Sequence, residues 1–156
     1  MNEFEKEERQ RQLLNEIINQ IEAKRWHVIS VSGDAEEVSF AYSVGLYTNF
    51  NHPEIIVFGI SPESALRVIN RIGAQVKEEN MRFIPEMYYD EILVDYRATF
   101  LPVPKNEYDG RFNIAAWYYD GFNFPALQLV WPDKNDLFPW EEGYSDEFAK
   151  FQPLLG

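Results

Sequence analysis

Residues 54 to 60 read Glu-Ile-Ile-Val-Phe-Gly-Ile, a nearly continuous apolar run with His52-Pro53 before it and Ser61-Pro62-Glu63 after it. A short run without polar alternation predicts a central strand covered on both faces. The residues that follow predict a helix start: a hydroxyl at the N-cap, proline in the first turn and an acid near the positive end of the dipole. Leu66, Ile69, Ile72, Gly73 and Val76 then recur at helical spacing as an inward stripe. The sheet that holds such a strand must be flanked by helices.

The rest of the chain is read around this unit. Leu13, Leu14, Ile17, Ile18 and Ile21 predict an amphipathic helix over 3–25, whose first turns are charged apart from Phe4. Trp26 to Ser32 and Val38 to Leu46 alternate with period two and predict a hairpin. In the second of these strands Val38, Phe40, Tyr42 and Val44 make one bulky face. Ser39, Ala41, Ser43 and Gly45 make a small one, open to a close-packed helix or to a ligand. Tyr47 to Pro53 reads as a polar loop, 92–103 as a long strand, 106–119 as a helix, 124–131 as the last strand, and the end as a short helix with Phe148 and Phe151. Pro85 leaves 81–89 without an assignment. No repeat, linker or composition shift divides the chain. The expectation is an N-terminal amphipathic helix over 1–24 and a single α+β domain over 25–156, with a mixed or largely antiparallel sheet flanked by helices.

Composition narrows the function classes. The chain has 156 residues, 46% of them hydrophobic and 16% aromatic, which is enough for a substantial core. It has no cysteine, which excludes disulfides, zinc ribbons and thiol nucleophiles. Fourteen Lys+Arg against 26 Asp+Glu leave a net charge of -12. A field of that sign repels phosphate backbones and anionic lipid, so nucleic acid and membrane are not expected as partners, and a basic protein is. The start, Met-Asn-Glu-Phe-Glu-Lys-Glu-Glu, lacks the basic opening and apolar run of a signal peptide, and the expected location is the bacterial cytoplasm.

No catalytic motif is present. The only histidines are His27 and His52, and neither a nucleophile elbow, a Ser-x-x-Lys signature, a Walker loop nor a dinucleotide glycine fingerprint occurs. His52, Glu54, Asp133 and Asp136 would bind a cation only if folding united them, and their spacing matches no ligand motif. No cofactor and no metal site is expected. Glu141 and Glu142 beside Trp140 are the carboxylates best placed for a shifted pKa, although surface solvation accounts for them better. Gln128 sits among Ala126, Leu127, Leu129 and Val130, and a buried amide needs partners for donor and acceptor alike. It either ties down a neighbouring segment or lines a pocket with Trp131 and Trp140. Tyr42 and Ser43 raise the same choice.

These residues also carry a resemblance. Phe40-Ala-Tyr-Ser-Val-Gly-Leu46 with His52-Pro-Glu-Ile-Ile-Val-Phe-Gly-Ile60 is similar to the first signature of the bacterial family called domain of unknown function 4262. Gln128-Leu-Val-Trp-Pro-Asp133 with Phe138-Pro-Trp-Glu-Glu-Gly-Tyr144 resembles the second. Trp26-His-Val-Ile-Ser-Val resembles the family's opening strand, with Arg25 where a glycine is usual. The resemblance implies no catalytic residue, since the family has no established activity.

Two functions are expected on this basis. The first is a protein-binding module of the immunity type that neutralises a basic toxin, with Asp133, Asp136, Glu141, Glu142, Asp146 and Glu147 as its contact residues. The alternative is a small-ligand binder or hydrolase-like enzyme with a pocket made from Tyr42, His52, Glu54, Gln128, Trp131, Asp133 and Trp140. A self-associating module docked through the N-terminal helix is a third reading.

Overall fold

A computed structural model describes residues 2–156. The chain runs α1 (Glu3–Lys24), β1 (His27–Val31), β2 (Phe40–Val44), α2 (Leu46–Phe50), β3 (Glu54–Phe58), α3 (Pro62–Glu79), β4 (Thr99–Pro102), α4 (Asn113–Tyr119) and β5 (Ala126–Val130). A single turn of 3-10 helix covers Lys105–Glu107, and a six-residue 3-10 segment covers Asp146–Phe151. The five strands form one sheet in the order β1-β2-β3-β5-β4. Only β3 and β5 are parallel; the other neighbours are antiparallel. The fold is α+β with a mixed sheet.

The central strand is β3, buried along its whole length. Its odd residues Ile55 and Val57 join Ala41, Leu127, Leu129 and the α3 residues Ala65, Ile69 and Ile72 in one core. Its even residues Ile56 and Phe58 join Tyr42, Val44, Ile17 and Ile21 of α1, and Phe112 and Ala115 at α4 in the other. The small face of β2 receives α3, and its bulky face lies under α1 and α4. Ser61 caps α3 by accepting from Ser64 N–H, and Pro62 opens the helix. Trp26 is seated on Gly73, where a Cβ would run into the indole ring, and its Nε1 donates to Asn70 at 2.9 Å. Alanine there would push the first strand away from the third helix.

Three elements differ from the sequence expectation. The polar loop at 47–53 contains the helix α2. The long strand expected over 92–103 shrinks to β4, joined by a bridge between Tyr89 and Ala98. Its register pairs Thr99 with Val130, so extension toward residue 92 would need β5 to continue through Trp131 and Pro132. Proline has no N–H for that ladder. Residues 92–97 leave the sheet instead, with Asp95 at φ 67° and Val94 73% exposed. The helix expected over 106–119 is split, with Gly110 at φ 81° between a 3-10 turn and α4. Among the described residues no helix is long and apolar enough to cross a membrane.

Candidate functional site

The nominated side chains fall into three groups by what they touch. The first surrounds Glu54, the opening residue of β3, which is fully buried. Its carboxylate accepts from the Ser43 hydroxyl at 2.7 Å and from the backbone N–H groups of Gly45, Leu46 and Tyr47 at 2.9, 3.2 and 3.2 Å. The Tyr119 hydroxyl donates to Glu54 Oε2 and itself accepts from Thr48 N–H. Three of these donors are the unpaired N–H groups that open α2, so a carboxylate distant in sequence takes the place of an N-cap side chain. Gly45 has no side chain for that task and adopts φ 121°. Burial pushes the Glu54 carboxyl above the ordinary glutamate value, while Tyr119, Ser43 and the backbone N–H groups pull against it. Burial and the neighbouring Glu54 push the Tyr119 phenol far upward, so the proton stays on the tyrosine. Through these bonds the carboxylate links β2, α2, β3 and α4.

The second group is made of side chains that hold segments in place. His52 is fully buried; its Nε2 accepts from Phe83 N–H at 3.1 Å and its Nδ1 lies 2.8 Å from the Pro53 carbonyl. An accepting Nε2 requires the neutral ring with its proton on Nδ1. Burial keeps the ring neutral by lowering its pKa, against the Pro53 carbonyl and with help from Arg82. Gln128 donates to the Pro153 carbonyl at 2.7 Å and accepts from Leu155 N–H at 2.9 Å, fastening the C-terminal segment to β5. Trp131 donates to the Phe58 carbonyl at 2.8 Å. The Tyr42 hydroxyl accepts from Ile114 N–H at 3.0 Å, and burial pushes its pKa to about 12. Tyr42 and Gln128 share a sheet face with Ile56 between them, but each is occupied by a different segment. Among the described residues every buried side-chain nitrogen and oxygen has a hydrogen-bond partner.

The third group is built around the loop 133–145, with Asp133 and Phe138 buried beneath it and Trp140 at the surface. Asp133 accepts from the N–H groups of Asn135, Leu137 and Ser145 at 2.8, 2.9 and 2.8 Å, which folds residues 133–145 into a closed loop. The Ser145 bond is the main cause that holds its carboxyl below the ordinary aspartate value, although burial opposes it. Asp136 accepts from Arg97 N–H at 3.0 Å and from its Nε at 2.7 Å; burial raises its pKa, and Arg97 more than offsets that. The Arg97 guanidinium lies 4.8 Å from the ring centre of Tyr88 and 5.2 Å from that of Phe138, with Glu141 3.8 Å away. Phe138 in turn stacks on Trp140 at 5.6 Å and 13°. The Trp140 indole N–H donates to the Tyr88 hydroxyl at 3.1 Å. Trp140 is nonetheless 47% exposed, and Ile84, Met87 and Tyr88 in the facing segment are exposed too. Exposed acids lie near these rings in the chain: Glu86 precedes Met87, Glu142 lies two residues beyond Trp140, and Asp146 and Glu147 follow in the second 3-10 segment.

The sequence nominated Trp140, Asp136 and Glu141 but not Tyr88, which lies in the unassigned stretch 81–89, or Arg97, which lies within the strand expected over 92–103. Their one sequence signal is the aromatic content of Met87-Tyr88-Tyr89 beside a proline-broken segment. Glu54 was nominated without Tyr119, whose helical spacing gives no hint of the bond.

A family model described as domain of unknown function (DUF4262) matches residues 20–145 of the chain. No curated protein and no solved structure matches it.

Proposed function

The chain belongs to the domain of unknown function (DUF4262) family, and we propose that it is a protein-binding module of the neutralising, immunity type whose partner presents a basic segment to Trp140 and Tyr88. One observation carries the reading: Trp140 is exposed yet immobilised, stacked on Phe138 and hydrogen-bonded to Tyr88. Tryptophan and tyrosine dominate binding hot spots, and a ring already held in place loses little freedom on association. Aromatic faces receive guanidinium groups, as Tyr88 and Phe138 receive Arg97 within this fold. The surrounding acids and the net charge of -12 favour approach of a cationic surface and repel anionic competitors. A bacterial, cytoplasmic setting is part of the same proposal.

The test is in-cell photocrosslinking with a reactive residue at the exposed position 142, two residues from Trp140, and a control probe at Lys77 on α3. A basic protein captured only from position 142, and lost in Trp140→Ala and at high salt, supports the reading. Capture that is indifferent to Trp140→Ala, or equal from both positions, refutes it.

A further inference from the structure

A second surface has the opposite electrostatic character. Between α3 and residues 92–96 lies a cleft of about 410 Å³ whose walls include Val68, Ile92, Leu93 and Trp131 and whose rim carries Arg67 and Arg71. The volume falls within the range of small-molecule sites. Residues 92–96 can form its outer wall because they have left the sheet.

The two arginines are one helical turn apart on the same face of α3, an arrangement in which like charges repel. Arg71 Nη1 donates to the Ile92 carbonyl at 3.0 Å, which holds its guanidinium at the mouth of the cleft. Arg67 Nη2 donates to the Ser64 hydroxyl at 3.2 Å. Among the described residues neither arginine has a carboxylate within 4.0 Å, a state shared with Arg9, Arg25 and Arg82, whereas Arg11, Arg97 and Arg111 are paired. This holds in a chain with 26 acids and 14 bases, and although Glu63 stands four residues before Arg67. Both arginines line a cleft whose walls are mainly apolar.

We propose that this cleft is a binding site for a small apolar carboxylate, an aromatic or aliphatic acid whose body lies on Val68, Leu93 and Trp131 while its carboxylate bridges Arg67 and Arg71. A guanidinium fork matches a carboxylate in shape and charge, and the cavity supplies the apolar contact that a free inorganic anion would not use. The site is separate from the Trp140 surface and stands or falls independently of it.

Calorimetric titration of the full chain with 2-naphthoate and with 2-naphthalenemethanol provides the test, since the two probes share a ring system and differ in charge. One-to-one binding of the acid is expected, with the alcohol weaker by about tenfold or more, the effect of losing one charge-assisted interaction. Arg67→Gln and Arg71→Gln are each expected to weaken the acid by about the same factor and to leave the alcohol unchanged. Arg67 is exposed, so the first variant keeps the fold even if the second loosens residues 92–96. Equal affinity for acid and alcohol, no loss with Arg67→Gln, or no binding of the acid at millimolar concentration would overturn the proposal.

Discussion

Trp140 and Tyr88 lie 52 residues apart in the chain, and the indole N–H of one donates to the hydroxyl of the other at 3.1 Å on an otherwise exposed surface. Trp140→Ala removes a ring that supports little of the core, so the expected loss of stability is within about 1 kcal/mol. Partner affinity is expected to fall by about 2 kcal/mol, close to thirtyfold, the size typical of a hot spot. Tyr88→Phe keeps both rings and releases the indole, and should weaken binding only several-fold. Denaturant unfolding and titration against the captured partner measure the two quantities separately.

Arg97 joins that surface to the loop beneath it through Asp136 and two aromatic faces. Lysine keeps the charge but loses the planar fork and the stacking. Arg97→Lys is expected to cost about 1 kcal/mol in urea unfolding, discounted for the exposure of the pair. It should also reduce partner affinity, because Trp140 then rests on a looser support.

Glu54→Gln should be nearly as damaging as Glu54→Ala. An amide has one acceptor oxygen and turns its NH₂ group toward N–H donors, whereas the carboxylate serves five donors. Both substitutions are expected to cost about 3 kcal/mol or more, as several buried donors lose their acceptor at once. Tyr119→Phe removes one donor and should cost about 1–2 kcal/mol. A Glu54→Gln midpoint in urea close to wild type would contradict this role.

Asp133 gives the protein a pH dependence of definite sign. Its folded-state pKa lies below the ordinary aspartate value, so the unfolded chain binds more protons across that interval and stability rises with pH there. The contribution is complete at neutral pH and is lost as the pH falls through the lowered value. Asp133→Asn should therefore be less stable than wild type at neutral pH, with the gap narrowing below about pH 3.9. Thermal melts over a pH series will show it.

Gln128→Leu removes both bonds to the C-terminal segment and adds apolar volume to a tightly packed face. The expected cost is about 1–2 kcal/mol. A more specific sign is faster carboxypeptidase trimming of residues 152–156 while the core stays folded.

What could be read from the sequence was whatever is encoded locally. Ser61-Pro62-Glu63 marks the start of α3 by its own chemistry, and Ile55 to Phe58 announces a doubly covered strand by lacking polar residues. The β1–β2 hairpin follows from alternation alone. The failures share a cause. Residues 92–98 alternate like a strand, yet a strand needs a neighbour, and Pro132 ends the one available. The helix α2 lacks any periodic signal in five residues and forms where Glu54 accepts its N–H groups. At the surface, Trp140 stands out by its composition, but Tyr88 and Arg97 reach it only through the tertiary fold. Gln128 was legible as a buried amide, while its actual partners, Pro153 and Leu155, could not be read from its surroundings in sequence.

The sheet order has a consequence for biosynthesis. The first three strands can associate as soon as they are made, but one side of β3 keeps its N–H and C=O groups unmatched until residues 126–130 have been synthesised, since β5 sits directly beside it. Domains assemble from the N-terminal side as they emerge, and an unmatched apolar edge is the place where nascent chains stick to one another. The nascent protein thus carries a largely apolar strand from residue 58 until residue 130 is made, sheltered on one face by α3 and open along that edge.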